Sequence, residues 1–364
     1  MFDCNKEVTG FFNDAVALSE SEKGEMRKRR DANRSRIKKG LESNKKPLPE
    51  MHVSQGSYAM HTMVKDKAND YDIDDGAVFK KGDLVGPKGA EMTALDARKM
   101  VRDAADDGLF KKPPEVRMNC VRVYYLAGYH VDVPVYRRLE DGSLELASSS
   151  WKGSSPTEVT NWYNTAVTEK SPDSTNGQQM RRITRLLKFY MRSRDSWRPL
   201  MPSGFEVSVL VDERYFADTV RDDVSLYETM RAIKLRLDGY LEVRHPTRDE
   251  MLTDGPDDAN TRQLRARLSE SLSCLQVLFE PGCTRLDALR AWNSVYKHDY
   301  WKNLIAKEEE AQKQKRKEEK AELLRDGNSG VAIAAGLLSV GAAAVTGAAI
   351  AKSVKETRSF GSKK

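Results

Sequence analysis

The chain has 364 residues, 39% hydrophobic and 32% charged, enough for one large or two ordinary globular domains with a buried core. Its 61 basic and 55 acidic residues leave a formal charge of +6, so no broad cationic field is implied and obligate binding to long nucleic acid is not indicated. Cys4, Cys120, Cys274 and Cys283 form no CxxC pair, no histidine stands beside two of them at zinc-ligand spacing, and Met1 to Lys6 carries Asp3 rather than a basic, apolar leader. These features exclude a zinc-finger framework and point to a reducing cytoplasm.

In chain order, residues 1–46 read as an N-terminal helical segment. From about 20 to 45 it is rich in Lys, Arg and Glu, with Met26, Ile37 and Leu41 the only large apolar residues, and it reads as an exposed helix. Residues 47–150 shorten to strands and turns, with strands expected at Asp72 to Phe79 and Val116 to Tyr125, a turn at Leu126, Ala127 and Gly128, and a half-buried strand where Tyr129, Val131, Val133 and Val135 alternate with His130, Asp132, Pro134 and Tyr136. Residues 151–305 turn helical. Ser155, Pro156 and Glu158 have the order of an N-cap, a first-turn proline and a capping-box acid, and the helix they open should run through Trp162. A second helix, Gln178 to Arg192, puts Ile183, Leu186, Leu187 and Tyr190 on one face and Arg181, Arg185, Lys188 and Arg192 on another. Ser225 with Glu228 is expected to cap a third, ended by Gly239, and a fourth should run from about Thr261 to Phe279. Residues 306–326 are a charged helical spacer, and 327–364 an apolar tail. The expected class is α+β: a mixed-sheet lobe followed by a helical lobe, with a ligand cleft between them.

The chemistry concentrates where Gln55-Gly56-Ser57 is followed, fifteen positions after the serine, by Asp72-Ile73-Asp74. In extended chain Asp72 and Asp74 share one side while Ile73 turns to the core. Two carboxylates on one face repel unless a cation lies between them, and magnesium, with its preference for hard oxygen ligands, supplies one. Asp132, projecting from its strand opposite to Val131 and Val133, is the third candidate. Three acids can hold two metals about 3.5–4 Å apart, the arrangement that serves both the attacking and leaving oxygens of phosphoryl transfer. Gly56 allows close backbone approach to a phosphate, and the Ser57 hydroxyl can donate to its oxygens. The plain alternative is an Asp-rich turn on a solvated surface.

Gln55-Gly56-Ser57, Asp72 to Gly76 and the strand His130 to Val135 resemble the nucleotidyltransferases related to cyclic GMP-AMP synthase, in particular the bacterial cGAS/DncV-like enzymes. The resemblance continues through Trp151 with Ser154-Ser155-Pro156, the basic helix Arg181 to Lys188, and Pro202-Ser203-Gly204-Phe205, and spans roughly residues 50 to 280. It implies a two-lobed nucleotidyltransferase fold. It also implies that Asp72, Asp74 and Asp132 bind two magnesium ions, that Gln55 and Ser57 hold a donor triphosphate beside Gly56, and that Lys188 and Ser203 contact phosphates. For Lys188 an ordinary solvated helix face is the competing reading, for Ser203 a simple cap beside Pro202. Arg181, Arg182 and Arg185 could steer the triphosphate. The animal DNA sensor of this group has a zinc-bearing insertion that no Cys/His cluster here could form, so no DNA activator is expected.

The implied activity is synthesis of a cyclic di- or oligonucleotide messenger that activates an antiphage effector, with cyclic GMP-AMP from ATP and GTP the family-weighted choice. Competing readings are an enzyme that stops at a linear product or modifies an RNA or other acceptor, and a silent nucleotide-binding scaffold. The tail, Val331 to Ala351, would make a helix about 32 Å long, close to the roughly 30 Å hydrocarbon core of a bilayer. Its Ala and Gly contribute little transfer energy, which leaves membrane association, a mobile tail or one that binds an accessory protein, and packing on the protein's own body as readings for it. Every candidate catalytic residue precedes the tail, so a chain ending near Ala306 is expected to remain active.

Overall fold

A computed structural model describes residues 1–65, 71–86, 89–125, 128–174 and 178–325. The elements run α1 (Asn5–Phe11), α2 (Glu20–Ser43), β1 (Met51–Gln55), α3 (Gly56–Ala59), β2 (Tyr71–Lys80), α4 (Ala94–Ala105), β3 (Glu115–Val116), β4 (Val121–Tyr124), β5 (Tyr129–Val133), β6 (Val135–Arg138), β7 (Leu144–Ala147) and β8 (Trp151–Gly153). Helices α5 (Pro156–Lys170), α6 (Gln179–Met191), α7 (Gly204–Arg214), α8 (Asp222–Gly239), α9 (Ala259–Leu275), α10 (Arg285–Tyr296) and α11 (Asp299–Arg325) follow. This is the expected α+β class, a mixed sheet followed by helices. Met1–Lys302 form one compact unit, and a second begins at Asn303.

Strand β2 is the spine of the sheet. It pairs antiparallel with β1 and parallel with both β5 and β6, in one continuous register that sets Asp74 beside Asp132 and Ala77 beside Val135. The expected strand from Tyr129 to Tyr136 is therefore two strands lying along β2 and interrupted at Pro134, whose carbonyl accepts from Ala77 N–H at 2.9 Å. Proline has no N–H to give the ladder, so the break falls there. On the outer side β4 pairs antiparallel with β5, and β7 with β6. The expected strand at Val116 to Tyr125 is likewise split into β3 and β4. Leu126 and Ala127 of the expected turn lie outside the described residues. Gly128, at φ +85°, donates its N–H to Tyr125 O at 3.1 Å.

Helix α2 is not simply exposed. Met26, Ile37 and Leu41 are fully buried in the core under the sheet with Ile73, Val121 and Val131. Each such side chain removes roughly 1.5–3 kcal/mol worth of apolar surface from water, so three are enough to dock a helix whose remaining surface is charged. At Gly40 a Cβ would overlap the Ala104 carbonyl oxygen of α4, which is why a glycine sits within the last turn of this helix. Arg34 of α2 donates to both carboxylate oxygens of Asp75, at 2.6 and 2.5 Å, and ties the helix to β2.

Two expected caps are not made. Ser155 precedes α5 with φ −127° and ψ 85° and its side chain accepts from no helical N–H, while Ser225 lies inside α8, which starts at Asp222, and donates to Phe216 O at 2.6 Å. The fourth expected helix starts at Ala259, with Asp258 accepting from Thr261 N–H at 2.8 Å, and its last turn, Gln276–Phe279, tightens to 3-10 geometry. The charged helix begins at Asp299, ahead of the expected spacer. The N-terminal α1 packs on the helical half, where the Phe11 ring lies 4.6 Å from Tyr296 and 5.3 Å from Trp301. Among the described residues no helix is long and apolar enough to cross a membrane; the tail, Val331 to Ala351, lies outside them.

Candidate active site

The site begins at the end of β1. Gln55 pairs in register with Asp74, and its Oε1 accepts from the Tyr136 hydroxyl at 2.8 Å. Gly56 then turns the chain into α3 at φ +63°, in the left-handed region, and a Cβ there would overlap the Asp74 carboxylate. The glycine therefore serves two needs: the positive φ and the closeness of this backbone to an acid. Ser57 follows in the first turn of α3, on the wall of the same cleft.

Strand alternation does what the sequence predicts. Ile73 is fully buried while Asp72 and Asp74 both line a cleft of about 480 Å³, together with Gln55, Gly56 and Ser57. That is an ordinary size for a small-molecule site. Asp132, one strand over and in register with Asp74, is only 8% exposed and stands behind the cleft wall. Its two oxygens accept from Arg122 Nε and Nη2 of β4, each at 2.7 Å, and the same Nη2 is 3.6 Å from Asp72 Oδ1. His130, beside Asp72 in the ladder, has Nδ1 at 3.2 Å from Asp72 Oδ1. Burial, then Asp132, then Asp72 push the Asp74 carboxyl up to about 7, with Arg122 opposing them. Among the described residues, the cluster sets three acids against one guanidinium, an excess of negative charge.

That excess is the test of whether the residues suit a metal. The donors are hard carboxylate oxygens, the kind magnesium takes, and Arg122 already sits among them as a cation. The side chains as they stand do not close around a single point: among the described residues no three of His, Cys, Asp or Glu form a ready-made ion site. The chemistry of the donor set fits a divalent cation, and the present arrangement of the side chains is the one that serves Arg122.

The helical half supplies the opposite wall. Lys188 is not on a solvated face; it is 4% exposed, donates to Thr62 Oγ1 at 2.8 Å and lines the cleft. Burial, then Arg192, then Arg185 bring its pKa down to about 7. Ser203 caps α7, its Oγ accepting from Glu206 N–H at 3.2 Å, and it also lines a recess of about 290 Å³ that shares Asp72, Lys188 and Arg192 with the cleft. The cap uses the hydroxyl only as an acceptor, so its own proton can still be donated. Ser155 and Pro156 line the cleft too, so the serine whose cap is not made faces the site.

Arg181, Arg182 and Arg185 do not line the cleft. Arg182 is buried between Asp222, which it meets twice at 2.6 and 2.9 Å, and Asp173 at 2.7 Å. Arg181 donates to Met60 O at 3.3 Å and Asn164 Oδ1 at 2.8 Å, and Arg185 to Met63 O at 3.0 Å while lying over the Phe12 ring. Arg181 and Arg185 thus join the two halves, while Arg182 is tied within the helical half. The cleft instead receives Arg192 and, from the loop after α8, His245 and Arg248, with Arg248 Nη2 at 2.8 Å from His245 Nε2. Tyr136, Leu146, Val159 and Phe205 give it apolar walls. None of Arg122, Tyr136, Arg192, His245 or Arg248 was a candidate on sequence. Only Arg192 carried any signal, through its place on the basic stripe.

Comparison with known proteins bears on the domain and the fold. Residues 50–136 match the family model described as cyclic GMP-AMP synthase DncV-like, nucleotidyltransferase domain. The fold is similar to that of Vibrio cholerae DncV cyclic AMP-GMP synthase in complex with the linear intermediate 5′ pppA(3′,5′)pG, with TM-score 0.64 at 16% identity over 81% of this chain and 96% of that one. It is similar to Escherichia coli DncV in its 3′-deoxy GTP bound form, with TM-score 0.62 at 15% identity over 80% and 94%. A V. cholerae di-nucleotide cyclase complex with GTP and 5MTHFGLU2 gives TM-score 0.64 at 16% identity over 82% and 96%. At these identities the structures establish a shared fold, and the family match establishes the nucleotidyltransferase domain.

Proposed function

We propose, for a chain that carries a DncV-like nucleotidyltransferase domain in the fold of the dinucleotide cyclases, that it joins ATP and GTP into a cyclic nucleotide messenger, cyclic GMP-AMP being the first candidate, and that this product activates an antiphage effector. The observation that carries the reading is the single cleft in which Asp72 and Asp74, backed by Asp132, face Gln55, Gly56, Ser57 and Lys188. Residues 47–150 then act as the catalytic core and 151–305 as the helical half that completes the cleft. The cytoplasm, where triphosphates and magnesium are abundant, is the setting.

Asp72, Asp74 and Asp132 are the residues that would hold magnesium, which when bound offsets charge on the triphosphate and on the attacking and leaving oxygens. Lys188 pairs with the phosphates as a buried point charge, and Ser57 and Ser203 donate hydroxyl hydrogen bonds to their oxygens. Gln55, fixed by Tyr136, orients the donor, while the apolar walls stack bases and keep water from competing with the acceptor hydroxyl. A carboxylate of this cluster receives the proton of that hydroxyl. The oxygen bonds to the α-phosphorus of the partner nucleotide as the bond to pyrophosphate breaks. A second transfer in the same cleft closes the ring.

The experiment is to incubate the protein with labelled triphosphates and magnesium, omit each triphosphate in turn, and treat the products with phosphatase. Cyclic products survive because they have no terminal phosphate. Label that stays phosphatase-sensitive in every mixture would replace cyclisation with a linear product or transfer to another acceptor, and products formed without GTP would change the base assignment.

A further inference from the structure

Arg122 is a charged residue for which the chemistry above has no use. It lies on β4 directly opposite Asp132 in the antiparallel ladder, with Val121 and Val123 fully buried on the other face of the strand, so its direction is set by the sheet. Its fork closes on both oxygens of Asp132 at 2.7 Å and reaches Asp72 Oδ1 at 3.6 Å. One guanidinium thus bridges two of the three acids.

We infer that Arg122 is an internal counter-cation, held on Asp132 and Asp72 in the metal-free protein, and that a metal ion must displace it before these acids can act as ligands. The inference rests on the reading of Asp72, Asp74 and Asp132 as metal ligands. The physical reason is exclusion: oxygens that accept two charge-assisted hydrogen bonds cannot at once present the same lone pairs to magnesium, and a guanidinium left in place would repel the ion. In the metal-free protein Arg122 relieves the repulsion among the carboxylates and ties β4 to β5. Metal alone therefore binds weakly. A triphosphate in the same cleft offers the displaced guanidinium other oxygens, so metal and triphosphate bind with positive coupling, and the site assembles only when both arrive.

The test is binding of Mn²⁺, a hard divalent ion visible by electron paramagnetic resonance, to the full chain, comparing the unmodified protein with Arg122→Gln and Arg122→Lys. Arg122→Gln is expected to bind Mn²⁺ about tenfold more tightly, the low end of what a charged hydrogen-bonded pair contributes. Arg122→Lys, which keeps the charge but loses the fork, should fall between. Adding inorganic tripolyphosphate should tighten Mn²⁺ binding to the unmodified protein by a larger factor than to Arg122→Gln. In chelator Arg122→Gln should melt below the unmodified protein, and in saturating Mn²⁺ the two should melt alike. Unchanged Mn²⁺ affinity in Arg122→Gln would overturn the inference; if that variant does not fold, unchanged affinity in Arg122→Lys would do so. Mn²⁺ binding that survives Asp72→Asn with Asp74→Asn would instead overturn the metal-ligand reading itself.

Discussion

Asp74 and Asp75 are neighbours on β2 and point to opposite faces of the sheet. Asp75 is 1% exposed and its charge is met in full: Arg34 donates to both oxygens and Ser54 Oγ adds a third hydrogen bond at 3.1 Å. On the other face Asp74 shares its surroundings with Asp72 and Asp132, and among the described residues Arg122 is the cation that opposes their effect on it. The ratio of charges distinguishes the two environments. One acid to one fork is a structural tie; three acids to one fork, among the described residues, is the arrangement that the proposed function reads as suited to a further cation. In the helical half Arg182 is likewise held in a structural tie, here between two acids, Asp222 and Asp173.

The largest effects should come from exchanging these roles. Asp72→Asn with Asp74→Asn should reduce synthesis to background, with a melting temperature at or above that of the unmodified protein in chelator, because mutual repulsion is removed. Asp132→Asn should also abolish synthesis. Asp75→Asn should do the reverse, lowering stability by about 3 kcal/mol, as expected when a buried pair loses one partner, while the folded fraction keeps synthesis. Product assays beside thermal melts separate the two, and an Asp74 variant that loses stability while keeping turnover would dissolve the distinction.

A smaller effect is expected at Lys188, where function and stability are again opposed. Its pKa in the fold is depressed to about 7 from 10.5, chiefly by burial, so the penalty for the charged form is fully present below pH 7 and disappears as pH rises toward the unfolded value. Lys188→Met should therefore raise the melting temperature at pH 7 while weakening triphosphate binding roughly 10- to 100-fold. In the unmodified protein the protonated ammonium is the binding form, so triphosphate affinity should fall as pH rises above about 7, and that slope should be missing from Lys188→Met. Calorimetry across pH 6–9 checks both. A pH-independent affinity would mean that Lys188 is only a packing residue.

The smallest effect is expected from ending the chain at Ala306. Synthesis should stay within about twofold of the full-length protein, since the proposed chemistry lies before that point. Loss of synthesis in a folded truncation would give the tail a catalytic role.

What the sequence made legible was local. Alternation along a strand placed Asp72 and Asp74 together and Asp132 opposite its valines, and helical spacing gave the buried face of α6. What it concealed was pairing between distant segments. Arg122 becomes visible only once β4 is known to lie against β5 in the register that opposes it to Asp132. The same holds for Arg34, whose helix looks solvated until Asp75 is found beneath it, and for His245 and Arg248, which a loop carries into the cleft. Ser155 and Ser225 show the converse. Both fit a local capping pattern, yet tertiary placement gives one to the cleft and buries the other inside α8, because a cap contributes only about 1 kcal/mol and packing outweighs it.

The most direct test of the account is anomalous scattering from crystals grown with Mn²⁺ and a non-hydrolysable triphosphate. The account predicts Mn²⁺ peaks within bonding distance of Asp72, Asp74 and Asp132, phosphates against Ser57 and Lys188, and Arg122 withdrawn from Asp132. Nucleotide bound elsewhere, or Mn²⁺ absent from all three carboxylates while the triphosphate is present, would contradict it.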